Sequence, residues 1–153
     1  MQGSTSLPQV STSLGELGVT KSATTDASPG KVWSAIGDFA GIAKWHPAIQ
    51  SATIEERDGQ TLRLLVLNDG ATVLEALVDW DDAGRSYTYR ILDGAMPVDG
   101  YISTLSVTAD GDGSRIEWTS TFDAKGVSRD EATGVISAVY ESGLAGIVDA
   151  VSA

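Results

Sequence analysis

Few side chains in this chain could do acid–base chemistry in a protected interior. Cysteine is absent and histidine occurs once, at His46. Thiolate nucleophiles, disulfides, iron–sulfur clusters, cysteine-type zinc sites and any site that needs two imidazoles are therefore excluded. The informative remainder is one carboxylate in an alternating segment, Glu75, and four tyrosines, Tyr87, Tyr89, Tyr101 and Tyr140. Across 72–80, Val73, Glu75, Leu77 and Asp79 alternate with Leu74, Ala76, Val78 and Trp80. Successive strand side chains point to opposite faces, so one of these sets faces inward. Apolar counting prefers the second set, and parity alone leaves both open. With the first set inward, Glu75 is a carboxylate in an apolar, tyrosine-lined interior. Its pKa would be raised by desolvation, it would require a hydrogen-bond partner, and it would be the candidate general acid or base. With the second set inward, it is an ordinary solvated strand residue.

The elements that would position these groups can be read from punctuation and periodicity. Ser28 and Pro29 suit an N-cap and first helical position, and Val32, Trp33, Ile36 and Phe39 follow at helical spacing. A second short helical piece over 39–45 runs into Trp45-His46-Pro47, where the proline disfavours helical geometry at His46. Turn residues at 58–59, 68–70, 81–84, 93–100 and 110–113 then separate six strand-like segments, over 51–57, 60–67, 72–80, 86–92, 101–109 and 115–124. An edge strand over 19–26 precedes them. Ser128 and Glu131 have capping-box spacing, and Ala132, Val135, Ile136, Val139, Tyr140, Leu144, Ile147, Val148 and Val151 recur every three or four residues behind it. This predicts a long C-terminal helix interrupted by Gly134, Gly143 and Gly146. Parity places Tyr87, Tyr89 and Ile91, then Tyr101, Ser103, Leu105 and Val107, then Ile116, Trp118, Ser120 and Phe122 on inner faces. The order strand, two short helices, six strands, long helix fits a bent antiparallel sheet wrapped around that helix.

Composition bounds the partners. A chain of 153 residues suits one domain, and its formal charge of −11 opposes phosphate backbones and anionic lipid surfaces. Nucleic-acid binding and stable membrane insertion are not expected, since the uninterrupted apolar runs are only strand-sized. Residues 1–17, rich in Ser, Thr and Gln, read as a flexible arm, and 18–153 as the single ordered domain. The arm lacks signal-peptide character. Cytoplasmic placement is the default, and an exported mature form with Met1 added fits the same residues. Asp110-Gly111-Asp112-Gly113 lacks the closing glutamate of an EF-hand loop and reads as a hairpin turn. Neither a phosphate-binding glycine loop nor a nucleophile elbow is present. No metal or cofactor is expected.

Ser28-Pro29-Gly30-Lys31-Val32-Trp33, Gly37-Asp38-Phe39 and Trp45-His46-Pro47 resemble the opening of the START-like, Bet v 1-like (SRPBCC) superfamily. The resemblance is strongest to bacterial polyketide cyclase/dehydratase-type, MxaD-like proteins. It continues through Asp69-Gly70, Val73-x-Glu75-x-Leu77, Asp81-Asp82, Tyr89-x-Ile91, Pro97-Val98 and Tyr101, and extends more distantly to plant abscisic acid receptors. It implies an α+β helix-grip fold, a curved seven-stranded antiparallel sheet around a long C-terminal helix, with a ligand cavity between them. It also implies that Glu75 faces that cavity. The lining it implies is Trp45, His46, Gln50, Leu64, Val73, Glu75, Leu77, Tyr89, Ile91, Met96, Tyr101, Trp118, Phe122, Ile136 and Tyr140. Trp118 stands where the receptors carry an acidic residue, and Gln50 where they carry a lysine, which weakens the expectation of an acidic ligand. Loops 68–71 and 94–97 would sit at the cavity mouth and could act as a lid.

Two functions follow. One is binding of a small hydrophobic molecule, aromatic or polyketide- or lipid-like, motivated by aromatic inner faces without a nucleophile–base pair. The other is a polyketide cyclase/dehydratase-type enzyme, with Glu75 as general acid or base and tyrosine hydroxyls stabilising an oxyanion. His46 reads as structural ahead of catalytic. Protein partners are left open, with a monomer or weak dimer expected.

Overall fold

The computed structural model describes residues 15–152. Nearly all of the expected arm, residues 1–17, lies outside them. Strand β1 (Leu17–Thr25) leads into helix α1 (Pro29–Ile36) and a 3-10 helix (Phe39–Lys44). Six strands follow: β2 (Ile49–Arg57), β3 (Gln60–Leu67), β4 (Thr72–Asp81), β5 (Ser86–Gly94), β6 (Val98–Asp110) and β7 (Gly113–Ala124). Helix α2 (Arg129–Val151) completes the described chain. The strands form one antiparallel sheet in the order β1-β7-β6-β5-β4-β3-β2. This is the helix-grip architecture, with the long helix held in a curved sheet.

Local chemistry accounts for the boundaries. Ser28 Oγ accepts from Lys31 N at 3.3 Å and Pro29 occupies the first turn of α1, while Asp38 Oδ1 accepts from Ala40 N at 3.0 Å to start the 3-10 helix. Ser128 Oγ accepts from Glu131 N at 3.0 Å at the head of α2. Along α2, Ala132, Ile136, Tyr140, Gly143, Leu144, Ile147 and Val151 are buried. Val135, Val139 and Val148 flank that stripe half-buried. By length and mean hydropathy α2 could cross a membrane. Here it is the core helix, and its Val, Ile and Leu residues, spaced by polar and small ones, keep its hydropathy high.

Strand irregularities decide which side chains reach the interior. In β4 the pairing with β5 shifts between Leu74 and Glu75 and again between Leu77 and Asp79. The second shift inserts Val78 as an extra, exposed residue. Val73 and Glu75 therefore point inward before it, and Trp80, opposite buried Tyr87, returns to the same face after it. Each parity set is right for part of the strand. In β6 the shift between Asp99 and Ile102 contains Gly100, whose φ of 60° is left-handed, and beyond it Tyr101, Ser103, Leu105 and Val107 are buried.

Candidate functional site

An internal cavity of about 80 Å³ lies between the concave face of the sheet, the 3-10 helix and α2. Its lining is Ile42, His46, Ala48, Ile49, Leu65, Leu67, Val73, Glu75, Tyr89, Ile91, Met96, Tyr101, Trp118, Ile136 and Val139. Most of these are aliphatic, and the polar atoms come from four elements.

Glu75 is 5% exposed and directly opposes Arg63 of β3 across the 68–71 turn. Arg63 is fully buried. Its Nε and Nη2 both donate to Glu75 Oε1, at 2.9 and 2.5 Å, and its Nη1 donates to the Phe39 carbonyl at 2.8 Å. The guanidinium also stands 3.9 Å from the centre of the Phe39 ring. Glu75 Oε2 is left without a hydrogen bond from the described residues, on a side chain that borders the cavity. Burial pushes the Glu75 carboxyl above its ordinary range, and the charge and hydrogen bonds of Arg63 oppose that rise. Burial also disfavours the charge on Arg63, but Glu75, Tyr87 and Tyr89 outweigh it and raise its pKa. The pair is thus a neutralised ion pair set into the wall.

Three of the four tyrosines form a chain that starts at the cavity wall with Tyr89 and Tyr101 and runs behind it to Tyr140. Trp118 Nε1 donates to Tyr89 Oη at 3.2 Å, and Tyr89 and Tyr101 hydroxyls lie 3.1 Å apart. Tyr101 and Tyr140 hydroxyls are 2.5 Å apart, Tyr140 and Ser103 hydroxyls 2.8 Å apart, and Ser103 Oγ donates to the Thr119 carbonyl at 3.1 Å. Trp118 stacks on Tyr140 with ring centres 4.5 Å apart. Burial holds the Tyr89 and Tyr101 hydroxyls well above the usual phenol range and pushes Tyr140 up to about 12. All three are neutral phenols at physiological pH.

His46 is also buried, and both ring nitrogens are occupied. Ala48 N–H donates to Nδ1 at 3.2 Å, which leaves Nε2–H to donate to the Val139 carbonyl of α2 at 2.9 Å. Burial lowers its pKa. The ring needs room at the helix, and a Cβ on Gly143 would stand 2.7 Å from His46 Cδ2 and 2.6 Å from Trp118 Cζ3.

His46, Val73, Glu75, Tyr89, Ile91, Met96, Tyr101, Trp118 and Ile136, all expected at the site, border one cavity. Six other expected residues do not, each for a local reason. Gln50 is exposed because a bulge between Ile49 and Ser51 sends Ile49 inward and turns Gln50 out. Leu64 is 40% exposed on the convex face because Arg63 and Leu65 take the inner side of β3. Leu77 is half-buried beside the Val78 bulge, past the end of the cavity. Phe122 is fully buried against the Tyr101 ring, and Tyr140 is fully buried behind Trp118 and Tyr101. Trp45 lies edge-on to Trp118 and borders an open groove between the 3-10 helix and α2. Ile42, Ala48, Ile49, Leu65, Leu67 and Val139 complete the lining, with Arg63, which parity did not place inside, and Ser103, which parity placed on an inner face but not at the site, standing behind it. Arg63 had a readable signal. It and Glu75 lie equidistant from Asp69, the centre of a turn, so a hairpin there pairs opposite charges directly.

The lining includes Leu67, next to the 68–71 turn, and Met96, within the 94–97 loop. The 68–71 turn is tied down, with Asn68 Nδ2 donating to the Pro47 carbonyl at 2.7 Å and Asn68 N to the Ala48 carbonyl at 3.1 Å.

Known proteins agree with this architecture. The chain is similar to the protein XoxI from Bacillus cereus, at 34% identity over 88% of this chain and 95% of that one, with a TM-score of 0.82. It is similar to an uncharacterised Bacillus thuringiensis protein, at 32% identity over 90% of this chain and all (100%) of that one, with a TM-score of 0.82. Ara h 8.0201 matches at 25% identity over 89% of this chain and 97% of that one, with a TM-score of 0.72. No curated protein matches the chain. The profile of the family described as polyketide cyclase/dehydrase and lipid transport matches residues 16–152, so the chain belongs to that family, within the START-like, Bet v 1-like superfamily.

Proposed function

We propose that this protein binds a small, mostly apolar molecule in the cavity between the sheet and α2. The observation that carries the reading is the cavity itself: aliphatic and aromatic walls with a few polar atoms gathered on Glu75, Tyr89 and Tyr101. An apolar pocket with a few convergent polar groups is the usual form of a small-molecule site. Family membership supports the same reading, since the family's description includes lipid transport. At about 80 Å³ the cavity is smaller than the roughly 150 Å³ that accommodates benzene in an engineered protein core, so occupancy requires lining side chains such as Met96 to yield. Native mass spectrometry of protein isolated from its source, with titration of Trp118 fluorescence by small aromatic and aliphatic compounds, tests it. Retained or titratable apolar ligand is the expected result. No adduct and no quenching with any compound overturns the reading.

A second reading, a cyclase/dehydratase-type enzyme, is favoured by one specific observation: Glu75 presents an uncommitted carboxylate oxygen to the cavity. It calls for a Glu75→Gln variant that binds ligand yet loses turnover by 100-fold or more. Unchanged turnover in that variant removes Glu75 from the chemistry.

A further inference from the structure

The cavity's hydrogen-bonding character follows from counting protons along the tyrosine chain. Trp118 Nε1 can only donate and the Thr119 carbonyl can only accept. Between them, Tyr89, Tyr101, Tyr140 and Ser103 carry four hydroxyl protons. Four bonds consume them: Tyr89 to Tyr101, Tyr101 to Tyr140, Tyr140 to Ser103, and Ser103 to Thr119. Because Ser103 spends its proton on a carbonyl, Tyr140 must donate to Ser103, Tyr101 to Tyr140, and Tyr89 to Tyr101. The direction of every bond is fixed, running away from the cavity. Tyr89 and Tyr101 border the cavity and have no proton left to offer it. They can only accept.

The other polar groups at the wall obey the same rule. Glu75 Oε2 is an acceptor, while the Arg63 donors that meet Glu75 are spent on Oε1. His46 has both nitrogens engaged, and the Trp118 N–H is spent on Tyr89. An acceptor-only cavity repels carboxylates and oxyanions and leaves ethers and ketones unmatched. Ammonium ions gain little, because the Glu75 charge is already balanced by Arg63.

We propose that the ligand is a neutral hydrogen-bond donor, an alcohol or phenol on an apolar frame, whose O–H is received by Glu75 Oε2 or by the Tyr89 and Tyr101 oxygens. The inference rests on the cavity-binding reading above and narrows it to a chemical class. It also counts against tyrosine hydroxyls acting as oxyanion donors, since a group whose proton is committed elsewhere cannot stabilise developing negative charge.

Four single-ring probes of similar shape separate the two levels: toluene, 4-methylphenol, 4-methylanisole and 4-methylbenzoate, titrated by calorimetry at pH 7. The expected order places 4-methylphenol at least tenfold tighter than 4-methylanisole, with 4-methylbenzoate weakest. Tyr140→Phe keeps the ring stacked on Trp118 but removes the acceptor for Tyr101, freeing one proton, that of Tyr101 or, with the Tyr89–Tyr101 bond reversed, that of Tyr89, to turn into the cavity. Tyr140 does not border the cavity. In this variant 4-methylanisole should gain fivefold or more while toluene is unchanged, a selectivity shift that a merely structural role would not produce. Ser103→Ala combined with Ser120→Ala, which leaves Tyr101 as the acceptor for the Tyr140 proton and reverses the chain, supplies the same readout if Tyr140→Phe does not fold. Toluene binding with 4-methylanisole or 4-methylbenzoate as tight as 4-methylphenol overturns the donor assignment and leaves the binding reading standing. Binding of none of the four overturns both.

Discussion

At the scale of single residues, the pair Arg63–Glu75 carries the most consequence. Desolvating two charges is costly, and their attraction offsets that cost only when the remaining donors are satisfied. Here Phe39 O takes one Arg63 N–H and the Phe39 ring covers the guanidinium. Removing one partner alone strands a buried charge. Arg63→Met should therefore cost about 3–5 kcal/mol in urea denaturation, whereas Arg63→Met combined with Glu75→Leu should recover most of it, because apolar replacement of a buried pair is often neutral. A double variant as unstable as the single one would show that the pair is more than a satisfied charge. Much of the site was legible at this scale. Tyr89, Tyr101 and Trp118 follow from alternation, and the inward Glu75 followed from resemblance. Arg63 was hidden because β3 offers four leucines and a valine, and apolar counting does not assign a guanidinium to an interior.

At the scale of elements, helix α2 shows how sequence punctuation can be read correctly and still conceal its cause. Its three internal glycines look alike in sequence but meet different surroundings. A Cβ at Gly134 meets nothing within 4 Å, one at Gly143 meets the Trp118 ring at 2.6 Å, and one at Gly146 meets the Trp45 carbonyl at 2.0 Å. Gly134→Ala should stabilise the protein by up to about 1 kcal/mol through helix propensity. Gly143→Ala should destabilise it by about 1–3 kcal/mol, because the rings it meets are packed on both sides. Gly146→Ala should cost at least as much, since a backbone carbonyl cannot swing aside. Thermal and urea unfolding of the three variants checks that order, and equal effects would mean that the glycines serve only the helix backbone. Caps and turns were legible because Ser, Pro, Asp and Gly act locally. The bulges at Gln50 and Val78 were not, because an extra residue in a strand leaves no compositional mark. Each reverses parity, so neither set of β4 residues keeps one face along the whole strand, while the inward placement of Gln50 came from the resemblance alone.

For the whole molecule, the surplus of 21 acidic over 10 basic residues lies mostly at turns and on exposed faces, so it governs solubility more than function. The group whose ordinary titration lies nearest neutrality is the single histidine. His46 joins the segment leading into β2 to the middle of α2 through Ala48 N–H and the Val139 carbonyl. A proton on Nδ1 would face the Ala48 N–H, donor against donor, within a buried site. Its folded pKa is lowered below 6.5, chiefly by burial, with the Val139 bond opposing and Arg63 adding to the fall. The unfolded chain thus binds this proton first as pH drops. Stability from this group is complete above about pH 6.5 and declines as pH falls toward the folded pKa, with a limiting slope of about 1.4 kcal/mol per pH unit for one proton. Glu75 contributes with the opposite sign. Its folded pKa is raised above 4.5, so the native state binds the proton first and this group favours the fold as pH falls through that interval. The two effects are separated by comparing wild type with His46→Asn in urea from pH 8 to pH 5. The variant should be less stable at pH 8, and the gap should narrow below pH 6.5 because only the wild type loses the histidine contribution. A gap that stays constant across that range would mean that the histidine titrates alike in the folded and unfolded chains, and that the clasp between β2 and α2 does not depend on its neutral form.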